Sequence, residues 1–244
     1  LIFVRPRFYR YKEISEKIMK IFYSYTDLVE PLSLDEAYLD VTYNKKNLRS
    51  AIKIAMLIRK EIKEEIGLTA SAGVSFNKFL AKTASDLDKP DGLSVILPEQ
   101  ADRFMEQLKI EKFHGIGKVT AEKMLGMGIR TGKDLMRYDR KELIQLFGKS
   151  GKHYHNIISK QDHRKVNPNR IRKSIGAERT FFHDLMDFHE IEQRLEEIHK
   201  ILMERILKSG KKGKTITLKV KFFDFEVKTR SKTLTKFTDD GLSI

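Results

Sequence analysis

Glu30-Pro31-Leu32-Ser33-Leu34-Asp35-Glu36-Ala37-Tyr38-Leu39-Asp40-Val41-Thr42 is the stretch around which the chain is organised. Apolar, strand-like runs at 28–34 and 37–41 flank two adjacent carboxylates, so a hairpin would carry Asp35 and Glu36 on the tight turn between its strands. Neighbouring acids repel unless water or a cation intervenes, and carboxylate oxygens suit Mg²⁺ or Mn²⁺ better than zinc. A solvated turn explains the same pair, because acids are common in turns. The rest of the chain has to decide between them.

Elements at helical spacing lead into and out of this hairpin. Ile14, Ile18, Ile21 and Phe22 place an amphipathic helix at 11–25. After the acids, Asn47 is positioned to cap a second helix with apolar Leu48, Ile52, Ala55, Ile62 and Ile66, closed by Gly67. A strand at 68–76, a helix at 78–87 opened by Asn77, a turn at 88–92 and a strand at 93–97 follow. The pattern predicts helices packed on a mostly antiparallel sheet. The apolar residues 1–4 read as a further strand entered from earlier residues, and the absence of an initiator Met suggests a fragment.

Composition changes at Pro98. Short helices separated by glycine turns are expected at 99–108, 118–125, 132–138, 140–147 and 150–159, a small all-helical domain. Residues 161–170 are basic, polar and aperiodic, as in an exposed linker. Beyond lie an expected strand at 175–182 and a helix at 187–208 whose stripe of Phe188, Ile191, Leu195, Ile198, Leu202 and Ile206 should face a core. Strands at 215–223 and 226–234 complete the pattern, the first alternating so that Lys219 and Lys221 face solvent. The β-α-β-β order then stops unfinished.

The 244 residues carry 48 Lys+Arg against 34 Asp+Glu, a formal charge of +14. Such a balance points to a polyanionic partner, with nucleic acid foremost. No apolar run approaches the roughly 20 residues that span a bilayer, and no signal sequence opens the chain. With no cysteine, disulfides, thiolate catalysis and Cys-based zinc sites are all excluded, which fits a cytoplasmic location. The histidines show no metal-ligand spacing; His153 and His155 would diverge on a helix.

Three further features carry candidate chemistry. His114-Gly115-Ile116-Gly117-Lys118 precedes a helix, and glycines beside a helix N-terminus let backbone amides approach a phosphate. A plain helical corner uses glycines too, but the matching Gly126-Met127-Gly128 turn followed by Ile129 favours a helix-hairpin-helix unit gripping DNA phosphates without reading sequence. Lys89, in a Pro-containing turn, is suited to neutralise a triphosphate, although surface lysines are usually only solvated. Lys211, Lys212, Lys214, Lys219, Lys221, Lys228 and Arg230 cluster on the C-terminal strands and their turns, as on a phosphate-tracking surface.

In order and spacing, EPLSLDEAYLDVT (30–42), LTASAGVSFNKFLAKTASDLDKPDG (68–92), KFHGIGKVTAEKMLGMGIRTGKDL (112–135) and RKSIGAERTF (172–181) resemble the Y-family of translesion DNA polymerases, of the bacterial DNA polymerase IV type. The likeness runs from about Arg7 to the end. It implies an α+β multidomain protein: a partial palm at 1–97 with an antiparallel sheet and helices, an all-α thumb with the helix-hairpin-helix at 98–163, a linker at 164–173, and a partial α/β little finger at 174–244. It implies template-directed addition of dNTPs to a primer 3′-hydroxyl. Asp35 and Glu36 would be catalytic ligands of two Mg²⁺ ions, replaceable by Mn²⁺, with Asp35 bridging both. Lys89 would contact the triphosphate. Gly115, Ile116, Gly117 and Lys118 would hold duplex phosphates, and the 172–179 stretch with Lys219, Lys221 and Arg230 would grip the DNA backbone. The partners implied are primer–template DNA, dNTP and, for the complete protein, a sliding clamp; the chain would act as a monomer away from membranes. The family's first palm strand, with another metal-binding Asp and the aromatic residue that excludes ribonucleotides, would precede Leu1, and the fingers with it, so this stretch alone is expected to bind DNA and polymerise little. The rival reading is a non-catalytic helix-hairpin-helix DNA-binding protein in which Asp35 and Glu36 only end strands. A nucleotide cyclase would also use an acidic palm, but leaves the helical and basic segments without a role.

Overall fold

The structure, a computed structural model, describes residues 2–244. Its backbone separates into a first unit ending at Arg170 and a second spanning Ile171–Ile244. In the first, helix α1 (Phe8–Tyr25) buries Ile21, Phe22 and Tyr25. The strand expected at 1–4 is not found: Leu1 lies outside the described residues, and residues 2–4 are exposed with no strand to pair them. Strands β1 (Val29–Pro31) and β2 (Ala37–Leu39) form the expected antiparallel hairpin, with Glu30 opposite Tyr38.

Helix α2 (Ala51–Ile66) starts later than its sequence suggests. Asn44 takes up the chain first, its Oδ1 accepting from the Lys46 and Leu48 amides at 3.2 and 3.1 Å. Asn47 therefore sits in a left-handed turn at φ 53°, and Ser50 is the cap, accepting from the Lys53 amide at 3.2 Å. The buried face is Ile54, Ile58 and Ile62, four apart, while Ile52 is exposed. Gly67 closes the helix at φ 75°, as expected. These residues, α1 and the hairpin share one apolar cluster.

Strands β3 (Ala72–Val74) and β4 (Leu93–Val95) are parallel, joined by helix α3 (Lys78–Ser85), so the single mostly antiparallel sheet expected from sequence is instead one antiparallel and one parallel pair. The reason is the intervening helix: a crossover returns the chain in the same direction, where a tight turn would reverse it. Asn77 caps α3, its side chain accepting from the Leu80 amide. Gly73 is required for this packing, since a Cβ there would stand 2.0 Å from the Ala81 carbonyl oxygen.

Helices α4 (Ala101–Gln107), α5 (Lys118–Gly126), α6 (Gly132–Leu135), α7 (Arg140–Phe147) and α8 (Lys149–Ile158) follow in the expected order. Thr131 and Asp139 close capping boxes with Asp134 and Glu142. Phe79, Leu80, Ala84 and Ile96 of the preceding segment are buried with Met105, Ile110, Phe113, Met124 and Leu143 in one core. The Phe79 and Phe113 rings stand 5.2 Å apart. At about 1.5–3 kcal/mol for each large apolar side chain, this shared burial ties α3 to the helices that follow it.

In the second unit, residues 171–187 form no strand, correcting the one expected at 175–182: the backbone there is held through side chains, Arg205 donating to the Gly176 carbonyl at 2.5 Å and Lys219 pairing with Glu178. Helix α9 (Phe188–Ser209) is capped by Asp187. Its stripe faces a core only toward the C-terminal end: Ile206 is buried at 7% exposed and Ile198 and Leu202 are half-buried, while Phe188 is 71% exposed and Ile191 and Leu195 are exposed. The antiparallel ribbon of β5 (Gly213–Lys221) and β6 (Val227–Thr238) leaves its own apolar Leu218 and Val220 45% and 43% exposed.

Candidate active site

The turn between β1 and β2 is closed by the Leu32 amide donating to the Glu36 carbonyl at 2.8 Å. Ser33 Oγ donates to Asp35 Oδ1 at 2.5 Å and accepts from the Asp35 amide at 3.3 Å. Asp35 is thereby ordered on the exposed side of the turn, with Glu36 beside it at the start of the β2 edge. At the base, buried Thr26 donates to the Asp40 carbonyl at 2.7 Å.

Helix α3 runs against this hairpin and grips it by two lysines one turn apart. Lys78 pairs with Glu30 and lies over the Tyr38 ring, 5.1 Å from its centroid. Lys82 Nζ is 3.3 Å from Glu36 Oε1 and 3.2 Å from Asp86 Oδ2. Lys89 completes the chain of charges at 2.7 Å from Asp86 Oδ1. Burial opposes ionisation of Asp86, but hydrogen bonds from Lys89 and Lys82 outweigh it and hold the carboxyl below its usual range. The hydrogen bond to Asp86 raises the Lys89 ammonium pKa above its ordinary value, and the fields of Glu36 and Asp35 add to that. Desolvation, with the negative field of Asp162, Glu30 and Glu36, pushes the Tyr38 phenol up to about 12, so it stays protonated.

The turn that carries Lys89 is anchored from α2. Arg59 donates to the Asp91 carbonyl at 2.5 Å, to Asp91 Oδ1 at 2.9 Å and to the Ala70 carbonyl at 2.8 Å. Lys89, Lys82 and the two acids are thus set by separate segments on one framework.

Of the residues expected to touch DNA, Gly115, Gly117 and Lys118 are exposed, while Ile116 is buried and plugs the turn into the core. Gly115 takes φ 96°, which a side chain would strain. Gly117 caps α5 with no side chain over the helix end, leaving the first amides open. On the ribbon of the second unit, Lys219 and Lys221 share a face with Thr217, but the register sets Arg230 opposite Leu218 and Lys228 opposite Val220. Cross-strand partners share a face, so the basic side chains are divided between both faces of the ribbon.

Sequence reasoning passed over Lys82, Asp86, Glu30, Asp162 and Arg164. Lys82 and Asp86 left a weak trace in their i, i+4 spacing; the others act on residues far away in the chain. Asp162 and Arg164 form a two-point pair at 2.5 and 2.9 Å inside the segment expected to be an exposed linker. His114 and His153 are both held below the ordinary imidazole value, first by burial, then at His114 by the cationic fields of Lys82 and Arg164 and at His153 by that of Arg164.

Oxygen donors on a turn suit a hard divalent cation, and Mg²⁺ commonly takes one or two carboxylates with the remainder from substrate phosphates and water. Asp35 and Glu36 fit that pattern. No group of three or more His, Cys, Asp or Glu side chains gathers among the described residues, at this turn or elsewhere.

Three family models match in chain order: the impB/mucB/samB family over residues 1–86, the IMS family HHH motif over 98–129, and the impB/mucB/samB family C-terminal domain over 172–244. DNA polymerase IV of Listeria monocytogenes serotype 4b (strain CLIP80459) is 47% identical over 243 residues, covering 100% of this chain and 68% of that protein. The chain belongs to the impB/mucB/samB family, that of the DNA polymerase IV proteins. Among these relatives, DNA polymerase IV of Clostridioides difficile (strain 630) is 53% identical over 98% of this chain and 66% of its own length, and that of Leptospira interrogans serogroup Icterohaemorrhagiae serovar copenhageni (strain Fiocruz L1-130) is 52% identical over 96% and 65%. The chain therefore spans about two thirds of the length of its curated relatives. A solved Y-family DNA polymerase chimera superposes with a TM-score of 0.88 at 29% identity, covering 99% of this chain and 70% of that one. DinB from Sulfolobus solfataricus does so with a TM-score of 0.64 at 28% identity, over 99% and 70%. Family membership agrees with an α+β architecture containing a helix-hairpin-helix motif. No helix among the described residues is long and apolar enough to cross a membrane.

Proposed function

We propose that this chain belongs to a template-directed DNA polymerase of the error-prone, lesion-bypass type, acting in the cytoplasm as a monomer on primer–template DNA and dNTP, with a sliding clamp as a further partner. The observation that carries the reading is the meeting of Glu36, beside Asp35, with a chain of charges through Lys82 and Asp86 to Lys89, in a chain of the DNA polymerase IV family. In this reading residues 1–97 are palm, 98–163 thumb, 164–173 linker and 174–244 little finger.

Asp35 and Glu36 hold the catalytic cations, Mg²⁺ or in its place Mn²⁺. When bound, such ions lower the pKa of the attacking 3′-hydroxyl and offset charge at the α-phosphate. Ser33 keeps Asp35 oriented through its hydroxyl. Lys89 receives the triphosphate, exchanging its contact with Asp86 for phosphate oxygens. Gly115, Gly117 and Lys118 offer amides and an ammonium to duplex phosphates, with Ile116 anchoring the turn. Lys219 and Lys221 offer charge to backbone phosphates from one face of the ribbon, and Arg230 does so from the other.

The test is divalent-metal binding beside duplex binding. Asp35→Ala and Glu36→Ala should each weaken Mn²⁺ binding about tenfold or more while leaving duplex affinity within about twofold. Unchanged Mn²⁺ affinity in both variants would sink the catalytic reading and leave a non-catalytic DNA-binding protein.

A further inference from the structure

Beside the acidic turn Lys82 is largely enclosed: its side chain is 13% exposed, against 40% for Glu36 and 49% for Asp86. Asp86 already has a second cation in Lys89, at 2.7 Å. Glu36 has no such alternative: among the described residues Lys82 is its single ion-pair partner. The contact is made to Oε1, which leaves Oε2 as the free oxygen of the carboxylate.

An ammonium fixed on one oxygen of a carboxylate does two things. It sets the plane in which the other oxygen is presented, and it supplies positive charge where two adjacent acids would repel. A divalent cation arriving at the same carboxylate meets that charge at close range. We propose that Lys82 is a positioning residue for the metal site: it holds Glu36 through Oε1 in the metal-free protein and yields part of that contact when a divalent cation engages Glu36. Asp86, bound to Lys82 at 3.2 Å, receives the displaced ammonium. The inference deepens the proposed metal site and rests on it.

The consequence has a sign. Replacing Lys82 by an uncharged residue of similar length removes the competing charge, so Lys82→Met should bind Mn²⁺ about tenfold more tightly than the parent chain. Lys82→Arg keeps the charge and should stay within about threefold of the parent. Mn²⁺ titration followed by the loss of its free-ion electron paramagnetic resonance signal reads both, with Glu36→Gln as the control. If Glu36→Gln leaves parent affinity unchanged, the metal reading itself fails and this inference with it. If Glu36→Gln weakens binding but Lys82→Met binds no more tightly than the parent, only the role of Lys82 is overturned. A second measurement needs no substitution at Lys82: Mg²⁺ titration of the parent should move the Lys82 ammonium resonance and leave that of Lys78 in place, and a Lys82 resonance indifferent to Mg²⁺ overturns the proposal equally.

Discussion

The carboxylate of Asp162 accepts a hydrogen bond from the main-chain amide of Phe79 at 3.1 Å, across 83 residues of sequence. That amide belongs to the first turn of α3, where donors have no helical partner, so Asp162 acts as a second cap beside Asn77. Its side chain is 3% exposed, and the same carboxylate takes both donors from Arg164. Glu30 holds the following residues, accepting from the Asn167 amide at 2.7 Å. The polar segment read from sequence as an exposed linker is largely exposed, and it is fastened to α3 and to the hairpin by these contacts.

Asp162→Ala should cost about 2 kcal/mol, because it strands a buried amide and unpairs an arginine. Hydrogen exchange at Phe79 is the direct reading, with faster exchange expected there than at Leu143. Equal protection of Phe79 in parent and variant would contradict the cap.

The same contact sets an acid limit. Burial opposes ionisation of Asp162, but the hydrogen bonds and charge of Arg164 with the Phe79 amide prevail and depress its carboxyl. A depressed folded value means that the unfolded chain binds more protons in the window just below about pH 4, so stability rises with pH there. The contribution is complete above that unfolded value and is lost as pH falls through the folded one. Asp162→Asn should flatten this part of a stability–pH curve for the first unit.

His114 and His153 should titrate below about 6.5 in the folded protein, since desolvation disfavours both imidazolium forms. Depressed histidines contribute stability above their unfolded value and lose it as pH falls. Arg164 adds a cationic field at both rings, so Arg164→Gln should raise both midpoints in an NMR titration.

DNA affinity should fall steeply with salt, because the expected contacts are to phosphates. Lys118→Ala, at the exposed turn, should reduce the slope of log affinity against log salt by about one while weakening all sequences alike.

Within the second unit, Ile206→Ala should destabilise by about 2 kcal/mol, whereas Leu195→Ala on the same stripe should cost less than about 1 kcal/mol. Equal losses, measured by denaturant unfolding, would mean that the stripe is uniformly packed.

The contrast between those two residues explains what could be read from the sequence. The acidic hairpin, the Asn77 cap, the Gly67 stop and the glycine turns at 115 and 128 were legible because their signals lie within a few residues. The α9 stripe misled because periodicity reports which face is apolar and says nothing of what covers it. The strand expected at 175–182 failed for a related reason: extended sequence becomes a strand only if a neighbour accepts its hydrogen bonds. Asp35 and Glu36 stood out as adjacent acids, whereas Lys82 lies 46 residues from Glu36 and nothing local marks it among the chain's cations.

Lys78 and Lys82 reach Glu30 and Glu36 from one face of α3. The helix is therefore a gauge whose phase is read at two points. A single residue inserted between the lysines would rotate one relative to the other by about 100° and release one glutamate whichever way the helix settled. Loops elsewhere can lengthen freely, but between these positions the spacing of the chain is as much a part of the site as the side chains themselves.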